Sequence, residues 1–375
     1  MRALTLLLFI NTIAAYCQIP LWPDRAPGAN GAMPEDIPTV TPMLADASKF
    51  SGTSIVLFPG GAYVSVATEV EGTPVAKWLN DLGINVFLVK YRYAPYKYPI
   101  EINDGYRAIR YVKAKAKEWN VDTTKLGIMG FSAGGHLSST IITHPISGNK
   151  DTADVVERYS SKVNFAMLIY PVITMNLTYT HAFSRTNLLG NRPPASLVDY
   201  LSNERHVTGN TPKNFLIHST NDDVVPVQNS IMFHDSCVQK GVSSTLHLLN
   251  VQGNLKHGFG LGNNDPSASI WQQYAIKWLD SLGYINTAVL NTETKDEENL
   301  LIYPTIITDN NIYLRNSRPL SNILIYNCLG DKFQFSLTTS KELTVIDIGA
   351  FPSGAYLLHV MLEGGKRQMR SFVKI

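Results

Sequence analysis

The sequence predicts an α/β fold, a mostly parallel sheet with helices on both faces, followed by a small all-β sandwich. Three observations predict it. Short continuous apolar runs alternate with helical spacings from Ser54 to about Leu282, the pattern of a parallel sheet covered on both sides. A strand, a sharp turn and a helix are compressed into 125–137. Beyond residue 285 the helical spacing gives way to two-residue alternation.

The 375 residues are 45% hydrophobic and 17% charged, a globular balance with a sizeable core and little room for long disorder. A formal net charge of +2 gives no pull toward nucleic acid or an anionic membrane surface. The start, Met1-Arg2 and then an apolar run to Ile13 closing in Ala14-Ala15-Tyr16-Cys17, reads as a secretory signal peptide and is too short to span a bilayer. A lipid anchor on Cys17 competes with that reading. The residue before a lipidated cysteine is usually small, and here it is Tyr16, so cleavage near Cys17 without lipidation is the expectation. No other stretch reaches spanning length. Cys237 and Cys328 fall in different predicted domains, which argues against a stabilising disulfide despite the oxidising destination.

In chain order, 18–50 is rich in Pro, Gly and Ala and reads as an extended arm. Residues 54–58 form a buried strand that ends in Pro59-Gly60-Gly61-Ala62-Tyr63, a turn whose glycines free N–H groups to point outward. A helix follows over 73–82, a strand over 84–89, and a long amphipathic helix over 100–119. Three lysines, 113, 115 and 117, lie near its end, where cations suit the dipole. Strands are expected at 165–170, 215–218 and 245–249, with a last helix over 271–282. Between 175 and 211 the periodicity fades around Pro193-Pro194, and the stretch reads as an irregular cap. The polar, acidic 285–299 reads as a linker. The short alternating runs of 300–375 read as the sandwich. The expected division is 1–17, 18–284, 285–299 and 300–375.

The compressed stretch holds Ser132 in Gly130-Phe131-Ser132-Ala133-Gly134. A strand that reverses into a helix so quickly leaves no room for Cβ atoms beside the turning residue, which is then exposed at the tip. A serine hydroxyl needs a base to take its proton and a third group to orient that base. On this topology the order is Ser, acid, His, and the chain offers Asp222 after one strand and His257, in Lys256-His257-Gly258-Phe259-Gly260, after the next. Taken singly, Asp222 is an Asx-turn residue as readily as an acid, and His257 an ordinary loop histidine. Their joint order with the elbow favours the catalytic reading. His136, just past Ser132 on the helix, is expected to pack or cap locally. Developing negative charge on an ester carbonyl needs N–H donors, which Gly61 or Ala62 and Ala133 are placed to supply. Glu71 reads as a pocket wall or as a helix-start charge. Arg185 and Asn187 in the cap are candidates for touching a polar substrate, against a solvated-loop reading. No His-Glu-x-x-His, Cys-x-x-Cys or calcium loop is present, so neither a metal nor another cofactor is implied. Asn176-Leu177-Thr178 is a sequon by pattern only.

Together, Pro59-Gly60-Gly61-Ala62-Tyr63, Glu71-Gly72, Lys90-Tyr91-Arg92, Gly127 to His136, His257-Gly258-Phe259-Gly260 and Ser184 to Gly190 resemble the bacterial α/β-hydrolase esterases of the acetyl xylan esterase type, over about 21–283. The family's Asp-x-x-Val-Pro selects Asp222 over Asp223 as the acid. Its third oxyanion-turn glycine is Ala62 here, a residue that a positive φ would strain. The tail resembles the C-terminal sorting domain of the type IX secretion system, through Ile302-Tyr303-Pro304, Asn327-Cys328-Leu329-Gly330, Phe351 to Tyr356 and the final Ser371-Phe372-Val373-Lys374-Ile375. It departs from the usual Tyr-Pro-Asn-Pro at Thr305-Ile306. The resemblances imply a secreted or surface serine esterase, exported through the periplasm, that removes acetyl groups from plant polysaccharide. Its partners would be an acetylated poly- or oligosaccharide and the type IX machinery, with no nucleic acid and no membrane span. A serine peptidase on the same fold, or a non-catalytic polysaccharide-binding surface protein, are the alternatives.

Overall fold

In the computed structural model, residues 17–285 are described, together with 301–374 apart from a few short segments. The expected signal peptide, apart from Cys17, and nearly all of the expected linker lie outside the described residues, as does Cys328. The chain divides into two compact units, Met1–Thr287 and Ala288–Ile375.

The first unit runs β1 (Ile19–Pro20), β2 (Thr39–Met43), β3 (Ser54–Phe58), α1 (Thr73–Asp81), β4 (Asn85–Lys90), α2 (Ile100–Ala114), β5 (Leu126–Phe131), α3 (Ser132–Thr143), β6 (Phe165–Ile169), α4 (Ala182–Leu189), α5 (Ala195–Tyr200), β7 (Lys213–Ser219), α6 (Gln228–Gln239), β8 (Ser244–Leu249), α7 (Pro266–Ser269) and α8 (Trp271–Ser281). Its eight strands lie in the order β1-β2-β4-β3-β5-β6-β7-β8. From β4 to β8 every neighbouring pair is parallel, while β2 is antiparallel to both β1 and β4. The carboxyl ends of five parallel strands in spatial sequence, β3, β5, β6, β7 and β8, therefore open on one edge. Loops on such an edge are where open α/β sheets place their chemistry.

Alternation within the strands explains the two layers. Val56 and Phe58 of β3 pack with Ile109 and Val112 of α2, Leu137 and Ile141 of α3, and Phe233 of α6. Ile55 and Leu57 point the other way, into a cluster with Val75 and Leu79 of α1 and Trp271 and Leu279 of α8. All five residues of β3 are buried, which is why the run reads as continuously apolar. Each such side chain contributes about 1.5 to 3 kcal/mol relative to exposure.

Three local features differ from the expectation. The arm contains β1 and β2; Pro42, which has no N–H to give a ladder, masks β2 in the sequence. The helix expected over 100–119 ends at Ala114, and the turns that follow bring Trp119 to stack on Phe87 at 5.0 Å. The cap carries α4 and α5 rather than irregular chain. Both are short and partly polar, and Pro193-Pro194 separates them, so neither sustains a readable period.

Among the described residues the second unit is all β, with a five-stranded sheet and a four-stranded sheet. The first uses β10 (Ile306–Ile307), β12 (Leu320–Asn327), β13 (Lys332–Phe333), β16 (Gly354–Leu362) and β17 (Arg367–Lys374). The second uses β9 (Leu301–Tyr303), β11 (Asn311–Arg315), β14 (Ser336–Thr339) and β15 (Leu343–Asp347). Pairing is antiparallel except for β10 with β17. Ile312, Leu314 and Ile346 of one sheet share a core with Ile325, Leu358, Val360 and Phe372 of the other. Among the described residues, no helix is long and apolar enough to cross a membrane.

Candidate active site

Ser132 is the first residue of α3, directly after the last residue of β5. Its φ of 50° is unusual for a residue with a side chain and costs on the order of 1 to 3 kcal/mol, strain typical of functional positions. The turn closes only because its neighbours are glycines. A Cβ on Gly130 would fall 2.2 Å from the Gly134 carbonyl oxygen, and one on Gly134 would fall 2.1 Å from that of Phe58.

His257 reaches the serine from the loop after β8. Its Nε2 lies 2.8 Å from Ser132 Oγ and its Nδ1 lies 2.7 Å from Asp222 Oδ2. A carboxylate only accepts, so Nδ1 carries the proton and Nε2 is free to accept from the serine hydroxyl. Asp222, in the turn after β7, also takes the N–H groups of Val224 and Val225 on Oδ1, at 2.9 and 2.8 Å. Burial pushes this carboxyl up, but hydrogen bonds from His218 and His257 outweigh it and hold it well below the usual carboxylate range. Asp223 is exposed. The three expected residues thus stand in a continuous hydrogen-bonded line that can carry a proton from the hydroxyl to the imidazole while the acid remains charged.

The turn after β3 faces Ser132. Ala62 and Tyr63 adopt φ of 54° and 57°, so the strain expected at Ala62 is present. Tyr91 holds the turn by donating to the Pro59 carbonyl at 2.7 Å, and Asn187 Nδ2 donates to the Ala62 carbonyl at 2.8 Å. Among the described residues no protein acceptor takes the N–H of Gly61, Ala62 or Ala133, which leaves all three as donors for an oxyanion.

The other expected residues take these positions. Glu71 is buried, with Oε2 accepting from Gly60 N–H at 2.7 Å and Oε1 from the Tyr170 hydroxyl at 2.9 Å. Burial raises its carboxyl above the ordinary value, against those two donors. Arg185 Nε donates to the Met175 carbonyl at 2.9 Å, inside the cap. His136 is buried, with Nε2 donating to the Leu201 carbonyl at 2.9 Å and Nδ1 accepting from the Tyr63 hydroxyl at 2.8 Å. Burial lowers its pKa to about 4, so it is a neutral packing residue with both nitrogens engaged.

Two residues expected only as strand ends belong to the surroundings. His218, the penultimate residue of β7, places Nε2 3.2 Å from Asp222 Oδ2. Tyr170 directly follows β6, with its ring 4.8 Å from that of His257. Each is a polar residue ending an apolar run at the carboxyl edge, and that was the available signal. Among the described residues, no group of three or more His, Cys, Asp or Glu is arranged to hold a metal ion. Cys237 is buried against Asn214.

A parallel sheet with a serine elbow after β5, an acid turn after β7 and a histidine loop after β8 defines an α/β-hydrolase. The BD-FAE family model matches residues 43–237, just over half of the chain, and the chain belongs to that family. It is similar to the acetylxylan esterase of Xylanibacter ruminicola, at 33% identity over 62% of this chain and 45% of that one. It is also similar to endo-1,4-beta-xylanase B of Butyrivibrio fibrisolvens, at 34% identity over 50% of this chain and 30% of that one. The chain spans less than half the length of the curated relatives it matches. A solved structure, the acetyl ester-xyloside bifunctional hydrolase of Caldicellulosiruptor lactoaceticus, superposes with a TM-score of 0.68 at 39% identity, covering 72% of this chain and 97% of that one.

Proposed function

We propose that the chain is a serine carbohydrate esterase that removes acetyl groups from plant polysaccharide, with xylan as the expected polymer. One observation carries the chemistry: His257 bridges Ser132 at 2.8 Å and Asp222 at 2.7 Å. The substrate class is supported by the relatives named for acetylxylan and xylan. Ser132 attacks the acetyl carbonyl as His257 Nε2 takes its proton, and Asp222 stabilises the imidazolium. Ala133 with Gly61 or Ala62 holds the oxyanion. His257 then protonates the sugar oxygen as its bond to the acetyl carbon breaks, which releases the sugar hydroxyl and leaves an acetyl-enzyme. Water, deprotonated by the same imidazole, releases acetate and restores the serine.

Acetate release from acetylated xylan, acetylated pectin and simple acetyl sugars is the deciding measurement. Ser132→Ala is expected to abolish release while keeping the fold, and release that persisted in that variant would refute the mechanism. The chain is further proposed to be secreted or displayed at the cell surface, with 1–17 as signal peptide and 300–375 as the address read by type IX secretion machinery. A version ending at residue 299 is then expected to accumulate in the periplasm; normal export of that version would overturn the assignment.

A further inference from the structure

We infer that Glu71 and Tyr170 form a positioning brace that holds the oxyanion turn in register with the His257 loop, an inference that rests on the esterase reading above. The brace is a directional chain of three hydrogen bonds. Gly60 N–H donates to one oxygen of Glu71 at 2.7 Å, and the Tyr170 hydroxyl donates to the other at 2.9 Å. Gly260 N–H donates to the Tyr170 oxygen at 2.9 Å. Gly60 lies in the turn that offers the oxyanion donors, and Gly260 follows His257 by three residues. Two pieces of the site that come from opposite flanks of Ser132 are thereby joined through side chains.

The geometry at each end is close. A Cβ on Gly60 would fall 2.7 Å from Glu71 Oε2, 2.9 Å from the Phe131 carbonyl oxygen and 2.9 Å from Ser132 Cβ. The Tyr170 ring lies against both the elbow and the base, 5.7 Å from Phe131 and 4.8 Å from His257 between centroids. Glu71 and Tyr170 are buried, so water does not replace a lost partner.

Counting protons fixes the form the brace requires. A carboxylate accepts at both ends, matching two donors. A carboxamide of the same shape accepts at one end and donates at the other, so it meets the Tyr170 oxygen with a hydrogen and leaves the phenolic hydrogen without its acceptor. Oxyanion holes and bases work by being aligned before charge develops, and a misplacement of about 1 Å can cost about 100-fold in rate. Neither side chain has to touch substrate for its loss to appear in turnover.

The test uses the full chain, p-nitrophenyl acetate as substrate and a small alkyl boronic acid, which forms a tetrahedral adduct on a reactive serine. Glu71→Gln and Tyr170→Phe are each expected to lower kcat by about 10- to 100-fold, leave KM within about twofold, and raise the boronate Ki by a matching factor. The double variant is expected to be no slower than the worse single one, because both break one chain. A role confined to stability would lower the amount of active enzyme and leave Ki unchanged. That result, or a kcat within twofold of the parent in both variants, overturns the brace. Should Glu71→Gln fail to fold, Tyr170→Phe decides, since it keeps the ring packing. Persistent activity in Ser132→Ala would instead overturn the esterase reading itself.

Discussion

His218 Nε2 lies 3.2 Å from Asp222 Oδ2, so the carboxylate bonded to His257 meets a second imidazole. The same Nε2 is 2.9 Å from the Val225 carbonyl oxygen, and Nδ1 is 2.8 Å from Ser230 Oγ. His218 is buried. It fixes the acid turn from below while the N–H groups of Val224 and Val225 fix it from within.

Replacing His218 with phenylalanine keeps the ring volume and removes the donor. A hydrogen bond to a charged group contributes about 1.5 to 3 kcal/mol. The expected loss in kcat for acetate release is therefore about 10- to 100-fold, with KM little changed. Unaltered kcat in a folded His218→Phe protein would show that the backbone donors alone hold Asp222.

The two adjacent acids are expected to separate sharply. Asp222→Asn inverts the partner of His257 Nδ1 and favours the wrong tautomer, a change on the order of 10³- to 10⁴-fold in kcat. Asp223 is exposed, and Asp223→Asn is expected to stay within about twofold. Steady-state turnover of the pair measures this, and the reverse ranking would reassign the acid.

Ala62 holds φ at 54°, where a Cβ is strained by about 1 to 2 kcal/mol. Ala62→Gly keeps the N–H and relieves the strain. The expected gain is about 1 kcal/mol, read as a rise in melting temperature of about 2 to 4 °C for a domain of this size, with activity retained. A lower melting temperature would mean that restricting the unfolded chain outweighs the strain.

Burial holds His136 near a pKa of about 4, against about 6.5 when unfolded. Between those values the unfolded chain binds the extra proton and the folded chain does not, so stability rises with pH there. The contribution is complete above about pH 6.5 and falls as pH drops toward 4, at up to about 1.4 kcal/mol per pH unit. Denaturant titrations at pH 7, 6 and 5 are expected to show that slope, reduced in His136→Gln. An unchanged slope in the variant would place the titration elsewhere, for example at His144, whose pKa is also lowered to about 4.

Ser132, Asp222 and His257 are legible in the sequence because each is framed locally, by the elbow glycines, by Val-Val-Pro and by flanking glycines. Strand order supplies the rest, since β5, β7 and β8 end on one edge. Tyr170 and His218 are not legible in that way. Their partners are 99 and 90 residues away for Tyr170, and His218 sits inside a run that reads only as buried strand. Glu71 marks the boundary between the two cases. Its place beside the site follows from the turn before it, but the direction of its carboxylate depends on Tyr170, which no local pattern reveals. The cap helices escape for a different reason, being too short for 3.6-residue periodicity to accumulate.

The cap is tied to the same turn that Ala62 occupies. Asn187 grips the Ala62 carbonyl, Tyr98 N–H donates to the Leu188 carbonyl at 2.9 Å, and Asn229 holds the Tyr179 carbonyl at 2.8 Å. A flap fastened in this manner makes a poor hinge, because swinging it away would dismantle the turn proposed to hold the oxyanion. On the proposed reading, a long polymer meets a standing aperture, and the choice among acetyl positions falls to the outline of that opening.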